Sequence, residues 1–153
     1  MTFWTSSLKY RRPPIPTRME KGIYTLILRL DPALDLVVGS LGAIHFWRGY
    51  YAYTGSARGP GGLKRVERHR RVMEGTNPTR RWHIDYLLPH VSLEEVVVTE
   101  TTLDLECQIA LKIGEKLEFV SGFGCTDCKC SSHLHHTGER TKILRAVRRA
   151  HGR

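Results

Sequence analysis

The chain has 153 residues, 41% hydrophobic and 25% charged, which is the size and balance of one globular domain. Its net charge of +9 predicts a polyanionic partner, nucleic acid first and an acidic membrane surface second. No apolar run approaches the about 18 residues that cross a bilayer, and Arg and Pro occupy the N-terminal segment where a secretory signal is apolar. We therefore expect a cytoplasmic protein without a membrane segment, with four cysteines that are metal ligands or reduced thiols.

Strand and helix patterns succeed one another along most of the chain. Residues 1–20 are predicted to be a basic N-terminal extension, either flexible or laid along nucleic acid. Residues 21–153 are predicted to form one α+β domain, with a small central mixed or antiparallel sheet flanked by helices. The predicted strands are 22–30, 36–38, 43–47, 50–53 and 94–100, with a hairpin at Arg48-Gly49. The predicted helices are 63–74, 80–88 (helix or ordered turn), 103–115 capped by Thr102 or Asp104, and 139–151.

The stretch 51–71 combines a strand, a glycine-rich turn over Gly55 to Gly62, and a strongly basic helix. Glycines let the backbone approach a phosphate closely, and the start of a helix attracts an anion. Arg65 and His69 are four residues apart, so they share one face of the helix. The glycine spacing is neither that of the Walker phosphate loop nor that of the dinucleotide fingerprint.

An ordered set of residues carries a family resemblance: Gly22-Ile23-Tyr24, Tyr53-Thr54-Gly55, Arg65 with His69, and Glu106 on a later helix. This set resembles the GIY-YIG nuclease superfamily. The stretches YYAYTGSARGPGGLKRVERHRR, WHIDYLL and GFGCTDCKCSSHL are similar to a largely archaeal family of unknown function with a GIY-YIG-like core, sometimes fused to an endonuclease III repair glycosylase. The resemblance, over about residues 21–136, implies a metal-dependent DNA endonuclease linked to repair, with a repair glycosylase as a candidate partner.

The resemblance also implies a role for each residue of the set. Tyr24 would act as general base or position water, and Tyr53 would orient water or phosphate. Arg65 would stabilise the transition state, His69 would bond a phosphate oxygen or relay a proton, and Glu106 would hold one Mg²⁺ or Mn²⁺. Phosphodiester hydrolysis needs such a positioned nucleophile, cations against developing negative charge, and help for the leaving oxygen.

The chain departs from the superfamily pattern at two places. Thr54 stands where the second motif has Ile, and the Asn that many members carry soon after the acidic helix is missing. Asn77, the one Asn of the chain, comes far earlier. This departure motivates an alternative, a nucleic-acid-binding accessory module that keeps the fold without turnover and is stabilised by zinc.

Basic residues cluster at 58–71, 80–81 and 140–153, and they would form a track for a phosphate backbone if they shared one face. His83 and Asp85 of WHIDYLL either support a metal or phosphate, or fix the start of a short helix by hydrogen bonds. The candidate nucleic-acid contacts are Arg58, Lys64, Arg68, Arg71, Arg81, Arg145, Arg148 and Arg149.

Residues 122–136 are predicted to be a loop rich in Cys and His. Cys125 and Cys128 have the spacing of a metal knuckle, and Cys130 and His133 could complete a structural zinc site. Reduced thiols lining the nuclease groove and a redox pair of cysteines are the competing interpretations. Other candidates for the fourth ligand are Cys107, His135 and His136, although Cys107 lies in an apolar helical pattern and is expected to be a small core residue.

Overall fold

A computed structural model of the chain describes residues 20–124 and 130–153. Within these ranges the chain forms a five-stranded antiparallel sheet, a separate two-stranded sheet and four α-helices, which confirms the predicted α+β class. The strands are β1 (Gly22–Leu30), β2 (Leu34–Val37), β3 (Ala43–Phe46), β4 (Gly49–Ala57), β5 (Val91–Glu100), β6 (Glu118–Phe119) and β7 (Leu134–Thr137). The helices are α1 (Lys64–Glu74), α2 (His83–Leu87), α3 (Glu106–Gly114) and α4 (Arg140–Ala150).

The large sheet has the strand order β5-β1-β4-β7-β6 and is covered by helices on both faces. Because successive residues of a strand point to opposite faces, the apolar run of β1 serves two separate cores. Tyr24 and Leu26 pack with Val66 of α1 in one core, on the face that also carries α2. Ile23 and Ile27 belong to the other core, which is built largely from α3 and α4. The sheet therefore separates α1 and α2 from α3 and α4.

Three strand predictions need correction. The hairpin expected at Arg48-Gly49 is wrong, because β3 pairs with β2, and the turn that joins these two strands contains Gly39–Leu41. β4 continues through Gly55 to Ala57, so the glycine-rich turn begins later than expected. Residues 134–136 form part of β7, although the sequence predicted a loop, because His133 and Leu134 join the free edge of β4.

The helices follow the sequence more closely. α1 ends at Gly75, whose left-handed φ of 84° lets its N–H bond the carbonyls of Arg71 and Val72. α3 begins only at Glu106, and no side chain within 20–124 or 130–153 caps it, so the caps expected from Thr102 or Asp104 are wrong. The segment 80–88 holds the short helix α2, followed by a 3₁₀ turn at Leu88–His90.

Most of the predicted N-terminal extension lies outside the described residues. Glu20, the one described member, accepts a backbone hydrogen bond from Leu63 at 2.6 Å, just before α1. None of the described helices has both the length and the apolar character that crossing a bilayer requires.

Candidate functional site

The structure brings the two predicted tyrosines and the basic helix together on one face of the large sheet. Tyr24 of β1 lies directly opposite Gly55 of β4 in the strand register. A Cβ atom at Gly55 would stand 2.4 Å from the Tyr24 hydroxyl and 2.5 Å from the ring carbon that carries it. The tyrosine ring therefore lies across the glycine backbone, and only glycine leaves room for it.

His69 of α1 completes this buried group. Its Nε2 atom lies 2.6 Å from the Tyr24 hydroxyl, and its ring lies edge-on to Tyr53 at 5.9 Å between centroids. Burial lowers the pKa of His69 to about 3, because charging an imidazole away from water is costly. Burial, together with the neighbouring Tyr53, raises the pKa of Tyr24 well above its usual range. Both groups are therefore neutral at physiological pH.

Arg65 and Glu106 approach this group from opposite layers of the fold and meet at one peptide. Arg65 donates a hydrogen bond to the Ser56 carbonyl oxygen at 2.6 Å, and its guanidinium also favours the ionised form of the Tyr24 hydroxyl. Glu106 is the first residue of α3, and the backbone N–H of Ser56 favours the ionised form of its carboxylate. Sequence reasoning pointed to Arg65 and Glu106 but not to Ser56, whose contribution comes from its backbone.

The Glu106 carboxylate is partly buried and has mixed neighbours. Burial and the nearby Asp104 raise the pKa of Glu106 to about 7, while Arg65 and Arg58 oppose that rise. Asp104 itself is exposed and pairs with Arg58 at 3.5 Å, whereas Glu106 is half-buried. A carboxylate oxygen is a ligand that Mg²⁺ prefers in proteins, so Glu106 fits the predicted Mg²⁺ or Mn²⁺ ligand.

Of the five residues predicted to be catalytic, Tyr24, Tyr53, Arg65 and His69 form one continuous group, and Glu106 reaches it through Ser56. The group is closed rather than open. Tyr24 and His69 are each 1% exposed and Tyr53 is 8% exposed, so the surface of the site consists of Arg65 and Glu106. Arg65 and Glu106 therefore lie between the phenol of Tyr24 and the solvent-exposed surface.

Two residues of the WHIDYLL motif, Asp85 and His83, form hydrogen bonds next to the site. Asp85 is fully buried, and it accepts two hydrogen bonds from Arg68 and one each from the backbone N–H groups of Arg81 and Trp82. Of the two interpretations from the sequence, fixing the start of a helix is therefore the one that Asp85 fulfils. His83 accepts a hydrogen bond from the N–H of Gly124 at 2.9 Å.

Trp82 connects this support to the buried group. The guanidinium carbons of Arg65 and Arg68 lie 4.8 and 4.0 Å from the centre of its ring, within the range of a cation–π contact. Its ring also lies edge-on to His69 at 5.9 Å between centroids. The sequence named Arg68 as a nucleic-acid contact, whereas the structure shows it paired with Asp85 and stacked on Trp82.

The other predicted nucleic-acid contacts do not share one face. One set lies near α1 or follows the strand that precedes it. Arg58 donates to the Thr102 carbonyl, and Arg71 is exposed beside Glu67. Lys64 and Arg81 are exposed as well. On the opposite layer, Arg148 pairs with the buried Glu95 at 3.1 Å. Arg145 and Arg149 line a cleft of about 540 Å³ together with Lys116 and Lys142. The predicted contacts are thus divided between two faces, so the condition for a single cationic track, that they share one face, is not met, and the role of each residue stays a prediction.

A second group of potential ligands lies beside Glu106. Cys107, Cys130 and His133 place one ligand atom each within 4.8 Å of the others. Cys107 is half-buried, so the expectation that it is a small core residue is wrong. Its position directly after Glu106 was the feature of the sequence that could have placed it beside the candidate site. Cys125 and Cys128 lie outside the described residues, and their part in a zinc site stays a prediction.

The missing Asn has no replacement at Asn77. That residue follows α1, and its side chain accepts a hydrogen bond from the N–H of Thr79 at 3.1 Å, which holds the turn after the helix. Its contact is therefore local to the turn.

Comparisons with known proteins add a family but no function. Among curated proteins and among solved structures, none matches the chain significantly. One family model matches residues 23–153, from β1 through α4, and so reaches beyond the resemblance found in the sequence. The chain accordingly belongs to the family described as domain of unknown function DUF123.

Proposed function

We propose that the protein is a metal-dependent endonuclease of the GIY-YIG type that hydrolyses phosphodiester bonds in DNA, in connection with DNA repair. The observation that carries this proposal is the meeting of Arg65 and Glu106 at Ser56, close to the hydrogen-bonded pair of Tyr24 and His69. A guanidinium suits a phosphate because it can bond two of its oxygens at once. The net charge of +9 favours the approach of a polyanion.

The neutral pair can position the attacking water. Because burial lowers its pKa to about 3, His69 is a weak base that is unprotonated at neutral pH, and its Nε2 can accept a hydrogen bond from the Tyr24 hydroxyl. In the proposed step, the Tyr24 oxygen held by this bond orients the attacking water, which gives its proton to solvent. The water oxygen bonds to phosphorus, the bond to the leaving sugar oxygen breaks, and that oxygen takes a proton from solvent.

Arg65 would hold the non-bridging oxygens as negative charge develops, and Tyr53 would limit where the water can lie. Glu106, with Asp104 nearby, would hold one Mg²⁺ or Mn²⁺. Such an ion, when bound, polarises the phosphate and stabilises the leaving oxygen. The proposal includes a cytoplasmic location and DNA, with a repair glycosylase, as partners.

Burial of the phenol favours a second candidate, a nucleic-acid-binding module without turnover. Tyr24 and His69 are each 1% exposed, which places the Tyr24 hydroxyl behind the surface that a substrate would touch. The absence of the expected Asn points the same way. Such a module would bind DNA tightly at low salt, through the same cations, and leave every substrate intact.

The deciding experiment incubates labelled branched, nicked and intact duplex DNA with the protein and Mg²⁺ or Mn²⁺. Replacing Arg65 or Glu106 by Ala should lower the cleavage rate by about 100- to 1,000-fold, as loss of a charge-stabilising group typically does. Arg29→Ala and Glu115→Ala are matched controls, because both side chains are exposed and lie elsewhere on the chain. Cleavage that survives both active-site replacements would refute the nuclease proposal, and salt-sensitive binding without cleavage would establish the alternative.

A further inference from the structure

Three side chains from two parts of the chain converge next to Glu106. Cys107 lies in the first turn of α3, while Cys130 and His133 come shortly before β7. The Sγ atoms of Cys130 and Cys107 lie 2.8 and 3.8 Å from Nε2 of His133. We propose that Cys107, Cys130 and His133 bind one Zn²⁺, and that this ion positions Glu106 for the proposed hydrolysis.

The donor set suits zinc on chemical grounds. Two thiolates and an imidazole are ligands that zinc prefers over the oxygen donors favoured by Mg²⁺. Around a tetrahedral zinc ion, neighbouring sulfur and nitrogen ligand atoms stand about 3.5–3.8 Å apart, given the usual bond lengths. The spacing of Cys107 and His133 already has this value, and Cys130 needs to move by less than about 1 Å. On binding, the two thiols become thiolates and release their protons to the buffer.

His133 is held in the orientation that a ligand needs. Its backbone N–H donates to the Phe123 carbonyl at 2.8 Å, and its carbonyl accepts from the N–H of Thr54 at 3.0 Å. Gly124 packs against the same side chain: a Cβ atom there would stand 3.1 Å from Cβ of His133. The imidazole is 3% exposed, so the surrounding chain fixes the ring before any ion binds.

Glu106 has the position of an outer partner of this site. Its Oε2 atom lies 3.5 Å from Nδ1 of His133, on the side of the ring away from the thiols. Histidines that bind a metal through one nitrogen commonly present the other to a carboxylate, which fixes the ring and strengthens the ligand. Cys107 follows Glu106 directly in the chain, so a bound ion would hold the start of α3 through Cys107 and would fix His133 beside the Glu106 carboxylate. The positioning role rests on the proposed nuclease function, whereas the zinc site itself does not.

The first test measures metal in the full-length protein purified under reducing conditions without chelator. We expect about one zinc per chain, and after exchange a Co²⁺ form with the thiolate-to-cobalt absorption band of a tetrahedral site. Cys107→Ser and His133→Asn should each weaken zinc binding at least about tenfold, and Glu106→Gln about 10- to 100-fold as an outer partner. His45→Gln is the control, because that exposed histidine lies on β3.

Several results would overturn the site. Protein without zinc whose Co²⁺ form lacks the thiolate band would do so, and this measurement needs no variant to fold. A disulfide between Cys107 and Cys130, found by peptide mass spectrometry without reduction, would assign the two sulfurs to a different role. Unchanged zinc affinity in folded Cys107→Ser would also exclude Cys107 as a ligand.

A second test separates the zinc site from the nuclease proposal. Chelator-treated protein given Mg²⁺ alone should cleave DNA at least about tenfold more slowly than protein given Mg²⁺ and one equivalent of Zn²⁺. Zinc bound with these ligands and no cleavage on any substrate would keep the site and refute the nuclease. Cleavage at the same rate with and without zinc would refute the positioning role and keep the nuclease.

Discussion

The contact between Gly55 and Tyr24 gives the sharpest prediction about the site. In Gly55→Ala, the new methyl would stand 2.4 Å from the Tyr24 hydroxyl and 2.5 Å from its ring, closer than non-bonded atoms approach. The ring is 1% exposed and closely packed, so it can move only by disturbing its neighbours. Overpacking typically costs about 1–3 kcal/mol, and the displaced hydrogen bond to His69 adds about 1 kcal/mol. We expect a loss of about 2–4 kcal/mol in the free energy of unfolding.

Urea denaturation followed by circular dichroism measures this loss. Gly59→Ala and Gly138→Ala are matched controls, because no heavy atom of the described residues, apart from the adjacent residues of the chain, lies within 4 Å of a Cβ at either position. Their free energies of unfolding should change by less than about 0.5 kcal/mol. Combining Gly55→Ala with Tyr24→Leu, which removes the ring, should reduce the cost of the alanine by about 1–3 kcal/mol. If the alanine costs as much without the ring as with it, the argument that Gly55 is required by Tyr24 is wrong.

Two further predictions concern buried polar groups. Asp85→Ala should lower the free energy of unfolding by about 3–5 kcal/mol, because it removes the hydrogen-bond acceptor of Arg68 and of two backbone N–H groups. Replacing the exposed Asp35 by Ala is the control and should change that free energy by less than about 0.5 kcal/mol. Equal effects of the two replacements in urea denaturation would contradict this account. His151 bonds Thr25 and Thr99, and burial lowers its pKa to about 4, so the unfolded chain binds more protons than the folded one between pH 4 and 6.5. The contribution of His151 to stability should therefore be complete above pH 6.5 and decrease as the pH falls. His151→Asn should reduce the slope of unfolding free energy against pH by about 1.4 kcal/mol per pH unit in this range, and the control His45→Gln should leave that slope unchanged. An unchanged slope in His151→Asn would contradict the assignment.

The sequence predicted the elements whose patterns are local. The apolar run of β1 and the Gly that ends α1 are read directly from neighbouring residues. Gly55 was misplaced in a turn, because a glycine inside a strand looks like a break until the ring that covers it is known. The pairing of β3 was also missed: local turn signals at Arg48-Gly49 and at Gly39–Leu41 are similar, and the structure uses the second.

The residues of the candidate site were easier to name than to arrange. The ordered motif supplied Tyr24, Arg65 and Glu106, because each has a distinctive chemistry. The grouping of Cys107 with His133 depends on where α3 meets β7, which no local pattern encodes. The division of the cations between two faces likewise depends on the sheet lying between α1 and α4.

That same sheet explains why the site lies where it does. Side chains from helices on opposite faces of a sheet can meet only at an edge or an end of it. β7 pairs with β4 only as far as Tyr53, and β4 continues to Ala57. Thr54 still donates its N–H to His133 on that side, and Ser56, two residues on, points its backbone the same way. Among the described residues no further strand pairs with β4 at Ser56, so this peptide needs other partners, and Arg65 and Glu106 approach it from the two layers. The end of β7 thus leaves a peptide of β4 at which the guanidinium and the carboxylate come together.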